Sequence, residues 1–250
     1  NSHFKINYSL ITSTKNSGTT LQRTLDSILL QEKHPNNHFF IDCDSTDNTL
    51  EIIEKYKIIN SHINIIKISQ TSSGIYKAWN EALSFLLGIV NINDYISIIN
   101  SDDWFVNDYI KTISEYEGYD LIAGSCKAYF KNYSLIRPCR NLKLLPLFMS
   151  VIDPSLSVRA SVYREIGLYR ERFKVASDHD FIYRAYEMGC KFKILKKVLI
   201  NVEMGGFAYQ NRNPGFVEQL KLTRERCVFP IPELAFIYRK CKFPRLRLLD

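Results

Sequence analysis

Three groups of acidic side chains stand out for their spacing: Asp42, Asp44 and Asp47; Asp102 and Asp103; and Asp178 with Asp180. The first two follow apolar runs of strand-forming residues, Phe39-Phe40-Ile41 and Tyr95 to Ile99, and the third borders a stretch of helical periodicity. If these elements end at one edge of one sheet, their carboxylates converge, and mutual repulsion raises their pKa values and costs stability. A hard divalent ion with oxygen ligands, Mg²⁺ or Mn²⁺, relieves that repulsion and also holds a pyrophosphate. Any one cluster alone reads better as solvated loop carboxylates or helix N-caps, because Asp and Ser are common at such turns. Their joint occurrence carries the metal reading.

The elements that must position these groups follow from the period of the apolar residues. Tyr8 to Ser13 reads as a strand, and Thr19 to Leu30 as a helix with Leu21, Leu25, Ile28 and Leu29 on one face. The unit then repeats: strand 39–41 with a helix carrying Leu50, Ile52, Ile53 and Tyr56, strand Ile63 to Ile68 with helix Ser73 to Leu87, and strand Tyr95 to Ile99. Strands alternating with helices predict an α/β fold: a mostly parallel central sheet with helices on both faces. In such sheets ligands sit beyond the carboxyl ends of the strands, where the acidic and hydroxyl residues lie here. After about residue 118 the pattern loosens. Leu121 to Phe130 and Ser155 to Arg159 read as strands, Asp178 to Met188 as a helix, and Phe192 to Val202 as one or two strands. Two helical pieces, Gly215 to Arg226 and Pro232 to Lys240, lead into a basic end. The expected organisation is one domain over 1–213, with a nucleotide-binding half to about 104 and an acceptor half over 105–213, and a helical basic extension over 214–250.

The net charge of +7 is concentrated toward the end of the chain, in Lys221, Arg224, Arg226, Arg239, Lys240, Lys242, Arg245 and Arg247. The basic residues form no stripe through the domain and no nucleic-acid motif, so nucleic acid is not an expected partner. The six cysteines include no C-x-x-C pair and no zinc-site spacing, and read as free thiols of a reducing compartment. With no signal-peptide pattern at the start and no apolar run of about eighteen residues, the expected location is the cytoplasm.

Several segments, taken in order over residues 7 to 206, resemble the family 2 glycosyltransferases, which have the Rossmann-like GT-A fold. ITSTKNSGTTLQRTLDSILLQ is similar to that family's first strand and helix, and FFIDCDSTDNT to its second-strand motif. SGIYKAWNEAL is similar to its Gly-x-x-x-Ala-x-Asn helix start, ISIINSDDWF to the strand ending in the D-x-D element, and FKVASDHDFIYRAYEMGCKF to the segment with the catalytic base. VEMGGFAYQN resembles the strand and loop after it. The resemblance implies an inverting enzyme that moves a sugar from a nucleoside-diphosphate sugar, UDP-linked by expectation, to an acceptor hydroxyl. Asp178 is then the base, with Asp180 in reserve. Asp42 or Asp44 reads the nucleotide base, and Thr12, Thr14, Lys77, Asn80, Asn100 and Ser101 join the donor site. Asp102 and Asp103 hold Mn²⁺ or Mg²⁺.

Two positions depart from the family pattern. Asn100 stands at the first carboxylate of the D-x-D element, which predicts weak metal binding without nucleotide. Trp79 stands where relatives often place an arginine, leaving Lys77 as the cation for phosphate. His179 is expected to be exposed or structural, Trp104, Phe105 and Tyr209 to line the sugar pocket or pack the core, and Gly205-Gly206 to allow a tight turn. The resemblance places the acceptor, a saccharide or lipid-linked saccharide, in bacterial polysaccharide or lipopolysaccharide assembly. The end of the chain, with Leu234, Phe236, Ile237, Phe243, Leu246 and Leu248 among its cations, is expected to meet the inner face of a membrane. The competing readings are a nucleotidyltransferase, which predicts a glycine-rich phosphate loop where TSTKNSGTT has a single glycine, and an inactive nucleotide-sugar-binding module.

Overall fold

The structure, a computed structural model, describes residues 6–69, 74–205, 212–228 and 230–238. Gly206, Tyr209 and the basic residues from Arg239 onward lie outside the described residues, as does the expected start of a helix at Ser73.

The first half follows the alternation read from the sequence: β1 (Tyr8–Thr14), α1 (Leu21–Leu29), β2 (Asn37–Asp42), α2 (Thr49–Ile59), β3 (Asn64–Ser69), α3 (Ile75–Leu87) and β4 (Tyr95–Ile98). Thereafter come β5 (Trp104–Phe105), α4 (Tyr109–Ser114), β6 (Leu121–Tyr129), β7 (Ser134–Arg137), β8 (Ser157–Arg159), α5 (Ala160–Ile166), α6 (Ser177–Glu187), β9 (Phe192–Glu203) and α7 (Arg212–Arg224). A further helical stretch runs over 231–238. The sheet order is β3-β2-β1-β4-β8-β6-β9-β5, with β7 on β6. The β3-β2-β1-β4 portion is parallel throughout. β8 joins it antiparallel to both β4 and β6, and β6 and β9 are again parallel.

Strand alternation divides the interior into two cores. Leu10, Phe40 and Tyr95 point to one face, against Leu21, Leu25 and Ile28 of α1 and Ile53 and Tyr56 of α2. Ile11, Phe39, Ile41, Ile96 and Ile98 point to the other, against Trp79, Leu83 and Leu86 of α3 and Phe181 and Ile182 of α6. Leu21, Leu25 and Ile28 are completely buried, as their helical spacing requires. Each such side chain stabilises the fold by roughly 1.5–3 kcal/mol. Helices thus cover both faces, and the strand ends open at one edge.

β6 and β9 pair along most of their length with a register shift between Ala123 and Ser125. Gly124 permits this: a Cβ there would lie 2.5 Å from Leu199 Cγ and 2.8 Å from the Lys197 carbonyl oxygen.

Candidate active site

The register of β1 and β2 sets Thr14 beside Asp42 at the strand ends. Thr14 Oγ1 donates to Asp42 Oδ1 at 2.8 Å, and the Ser45 N–H and hydroxyl donate to the same carboxylate at 2.9 and 2.6 Å. Asp42 is therefore fixed and buried, while Asp44 is exposed in the left-handed region at φ +52°. Asp47 accepts the N–H groups of Gly18 at 2.9 Å and Thr49 at 3.0 Å, tying the loop after β1 to the start of α2. The bond from the Thr49 hydroxyl leads the causes that hold its carboxyl below the usual range. Thr12 is completely buried, 3.0 Å from His38 Nε2, and lies beneath this end of the sheet. Ser101 meets the Ser17 hydroxyl at 2.7 Å, joining the β4 end to the β1 loop.

At the β4 end the two neighbouring aspartates differ. Asp103 turns inward: its carboxylate accepts from Asn100 Nδ2 at 3.1 Å and from the Glu203 N–H at 3.1 Å, and burial, with the Asp102 charge, pushes it up to about 8. Asp102 is half-buried, and burial chiefly, with the Glu203 charge adding to it, raises its carboxyl above the ordinary value. Asn100 Oδ1 is buried and has no hydrogen-bond partner. Such an atom costs about 1–3 kcal/mol unless something completes it. Among the described residues, no group of three or more His, Cys, Asp or Glu is arranged to hold a metal ion. The Asn100 and Asp102 oxygens nevertheless fit Mg²⁺ or Mn²⁺, which bind through one or two protein oxygens when phosphate and water supply the rest. Arg23 steadies this corner: its guanidinium donates to the Asp102 carbonyl at 2.8 Å, pairs with Glu203 at 3.0 Å and lies 3.8 Å over the Trp104 ring. Nothing in its place on an amphipathic helix distinguishes Arg23 in the sequence.

On the other side, the first turn of α6 carries Asp178. Its Oδ1 lies 3.2 Å from the Tyr76 hydroxyl and accepts the His179 N–H at 2.7 Å. The residue is half-buried, and burial pushes its carboxyl up to about 6. Asp153, in a 3-10 turn over Asp153–Ser155, is raised well above its ordinary value by burial and then by the charges of Asp178 and Asp103. It thus stands within electrostatic reach of both. In the sequence it is only an Asp-Pro turn after an apolar residue.

Asp180 differs. It is completely buried, with Arg184 Nε at 2.8 Å, Arg226 Nη2 at 2.9 Å and Arg170 Nη1 at 3.3 Å, so the third acidic cluster divides between a half-buried and an interior carboxylate. The buried His179 packs its Nε2 2.6 Å from the Leu145 carbonyl. Asn80 is engaged by the backbone of Tyr169, donating to its carbonyl at 2.8 Å and accepting its N–H at 3.0 Å, and so pins the segment that leads to α6. Lys77 is half-buried and lines a shallow hollow with Gly74, Tyr76, Glu171, Phe173 and Lys174. Trp79 belongs to the core, its indole N–H 3.2 Å from Ser13 Oγ. Phe105 is buried against Tyr109, whereas Trp104 is half-buried beneath the Arg23 guanidinium.

Comparison with known proteins places these features in a family. The glycosyl transferase family 2 profile matches residues 9–199. A putative teichuronic acid biosynthesis glycosyltransferase of Bacillus subtilis, TuaG, is 30% identical over 130 residues, 51% of this chain and 47% of that protein. Staphylococcus aureus TarS 1–349 in complex with UDP-GlcNAc has the same fold, with TM-score 0.69 and 19% identity over 87% of this chain and 65% of that one. So does the mannosyltransferase PcManGT of Pyrobaculum calidifontis in complex with GDP-Man and Mn²⁺, with TM-score 0.67 and 15% identity over 92% of this chain and 67% of that one. The architecture is the GT-A fold of these structures. The chain spans about half the length of the curated relatives it matches.

Proposed function

The chain belongs to glycosyl transferase family 2, and from that premise we propose that it transfers a sugar from a nucleoside-diphosphate sugar to an acceptor hydroxyl with inversion. The observation that carries this reading is Asp153, which feels the charges of both Asp178 and Asp103 and so links the half-buried Asp178 to the corner that holds Asp102 and the unpartnered Asn100 oxygen. A carboxylate with its pKa near 6 is ionised at neutral pH yet basic enough to accept a proton. Asp178 takes the acceptor's hydroxyl proton as that oxygen bonds to the anomeric carbon, and the bond from that carbon to the diphosphate breaks on the opposite face. Tyr76 and the His179 N–H keep the carboxylate oriented. Asn100 and Asp102 would hold the divalent ion, which when bound spreads the charge of the departing diphosphate.

The residues to about 104 form the donor half in this reading, and 105–213 the acceptor half, with 214–250 as an extension. Asp42 is the buried candidate for reading the nucleotide base, and Asp44 the exposed one. A UDP-linked donor is favoured by the UDP-GlcNAc bound to TarS, although the GDP-Man of PcManGT shows that the fold accepts either base. TuaG, a putative teichuronic acid enzyme, supports a saccharide or lipid-linked acceptor in surface-polysaccharide assembly. No helix among the described residues is long and apolar enough to cross a membrane. The stretch 231–238 exposes Ile231, Leu234, Ile237 and Tyr238 just before the basic residues of the sequence, which supports peripheral attachment at the cytoplasmic face. Calorimetry of UDP and other nucleoside diphosphates tests the donor site. We expect tighter binding with Mn²⁺ or Mg²⁺ than with chelator, and loss of that difference in Asp102→Ala; equal affinity with and without metal for every diphosphate would falsify it.

A further inference from the structure

α7 lies beyond the residues that the family profile matches, yet it touches the segment that delivers Asp178 at several points. Glu218 of α7 accepts the Lys174 N–H at 2.8 Å on one oxygen and the Val175 and Ala176 N–H groups at 2.8 and 3.0 Å on the other. These amides lead directly into α6, whose N-cap is Ala176. The first N–H groups of a helix have no intrahelical partner, and Ala has no side chain to cap them. The Glu218 carboxylate takes the N–H of the N-cap Ala176 and of the two residues before it, at the end where the helix dipole favours negative charge. On the other side of Asp178, Arg226 donates to the buried Asp180 at 2.9 Å and lies 4.0 Å over the Tyr183 ring. α7 approaches the segment before α6 closely enough that a Cβ at Gly215 would lie 3.0 Å from Val175 Cγ1.

We infer that α7 and the turn after it are the positioning element of the base: Glu218 in the helix and Arg226 in the turn are positioning residues that clamp the start of α6 on both sides of Asp178 and fix its carboxylate toward the acceptor. The inference rests on Asp178 being the base of the proposed transfer, and its test separates the two. Tyr76, His179, Asp153 and Glu218 face the clamped turn at Asp178, and Arg170, Arg184 and Arg226 face it at Asp180. Glu218→Gln removes charge at nearly constant shape, Glu218→Asp keeps the charge one methylene short, and Arg226→Gln opens the other side of the clamp.

Two readouts need no substrate: hydrogen exchange at the Lys174, Val175 and Ala176 amides, and carbon-detected NMR titration of the Asp178 carboxyl. In Glu218→Gln the three amides should exchange about tenfold faster or more. The Asp178 carboxyl should titrate lower than in the parent, because one of the charges raising it is gone. Donor affinity should stay within about twofold, while kcat falls about tenfold or more, since loss of alignment alone costs rates on that scale. Glu218→Asp should recover part of the loss, and Arg226→Gln should lower kcat without moving donor affinity. Unchanged exchange and an unchanged Asp178 titration in folded Glu218→Gln would overturn the clamp. If both move while the parent turns over no nucleotide sugar, the clamp on Asp178 stands and the transferase reading falls.

Discussion

Asp178 and Asp180 are two residues apart and do opposite things. Asp178 is half-buried beside the Tyr76 hydroxyl with its carboxyl pushed up to about 6, whereas Asp180 sits in the interior among three guanidinium groups. Asp178→Asn should therefore lower kcat by about a hundredfold or more, the scale expected for a lost general base, with donor affinity nearly unchanged. The base works in its ionised form, so parent turnover should fall as pH drops through about 6 and level off above it, and this acid limb should vanish in Asp178→Asn. Asp180→Asn should be milder in turnover but harsher in stability. It leaves the nearly buried Arg184 and Arg226 without their counter-charge, at a cost of about 3–5 kcal/mol. Urea unfolding separates the two effects, and a reversed ranking in turnover would move the base two residues along.

At the level of elements, the first seven were legible because each spans at least a full period and ends in turn residues. β1, α1, β2, β3, α3 and β4 lie within about two residues of the reading, and α2 contains all four of the apolar residues that marked it. β5, with two residues, and α4, with six, are too short to show a pattern, β7 is a mostly exposed strand with no buried face to mark it, and α5 follows β8 without a turn signal. The antiparallel entry of β8 was hidden because pairing direction is a property of distant partners, not of the strand itself. The site divides in the same way. Asp42, Asn100, Asp102 and Asp178 announce themselves by standing at element ends. Arg23 acts on partners 79 and 180 residues away, and Glu218 on partners more than forty away, so local pattern could not find them. Gly124 also went unnoticed, although its hydrogen is what lets β6 approach β9. Gly124→Ala should destabilise the protein by about 1–3 kcal/mol, because the backbone carbonyl of Lys197 must shift to admit the methyl. An unchanged denaturation midpoint would mean that the two strands part there at no cost.

At the scale of the whole molecule, the proposal is of an enzyme that works at a surface, with the exposed Ile231, Leu234, Ile237 and Tyr238 just before the basic residues of the sequence. At about 1 kcal/mol per basic residue near anionic lipid, Arg239, Lys240, Lys242, Arg245 and Arg247 suffice for reversible attachment. Co-sedimentation should show binding to anionic but not neutral vesicles, lost in a chain ending at Pro232; binding unaltered by that truncation would assign the attachment elsewhere. The central claim is nearer the chemistry, and slow hydrolysis of the donor tests it without knowledge of the acceptor. With Mn²⁺ or Mg²⁺ present, at least one nucleotide sugar in a panel of UDP- and GDP-linked donors should release its diphosphate, more slowly in Asp178→Asn and not at all with chelator or in Asp102→Ala. Release that is indifferent to metal and to both substitutions, or no release from any donor by protein that binds none of them, would contradict the account.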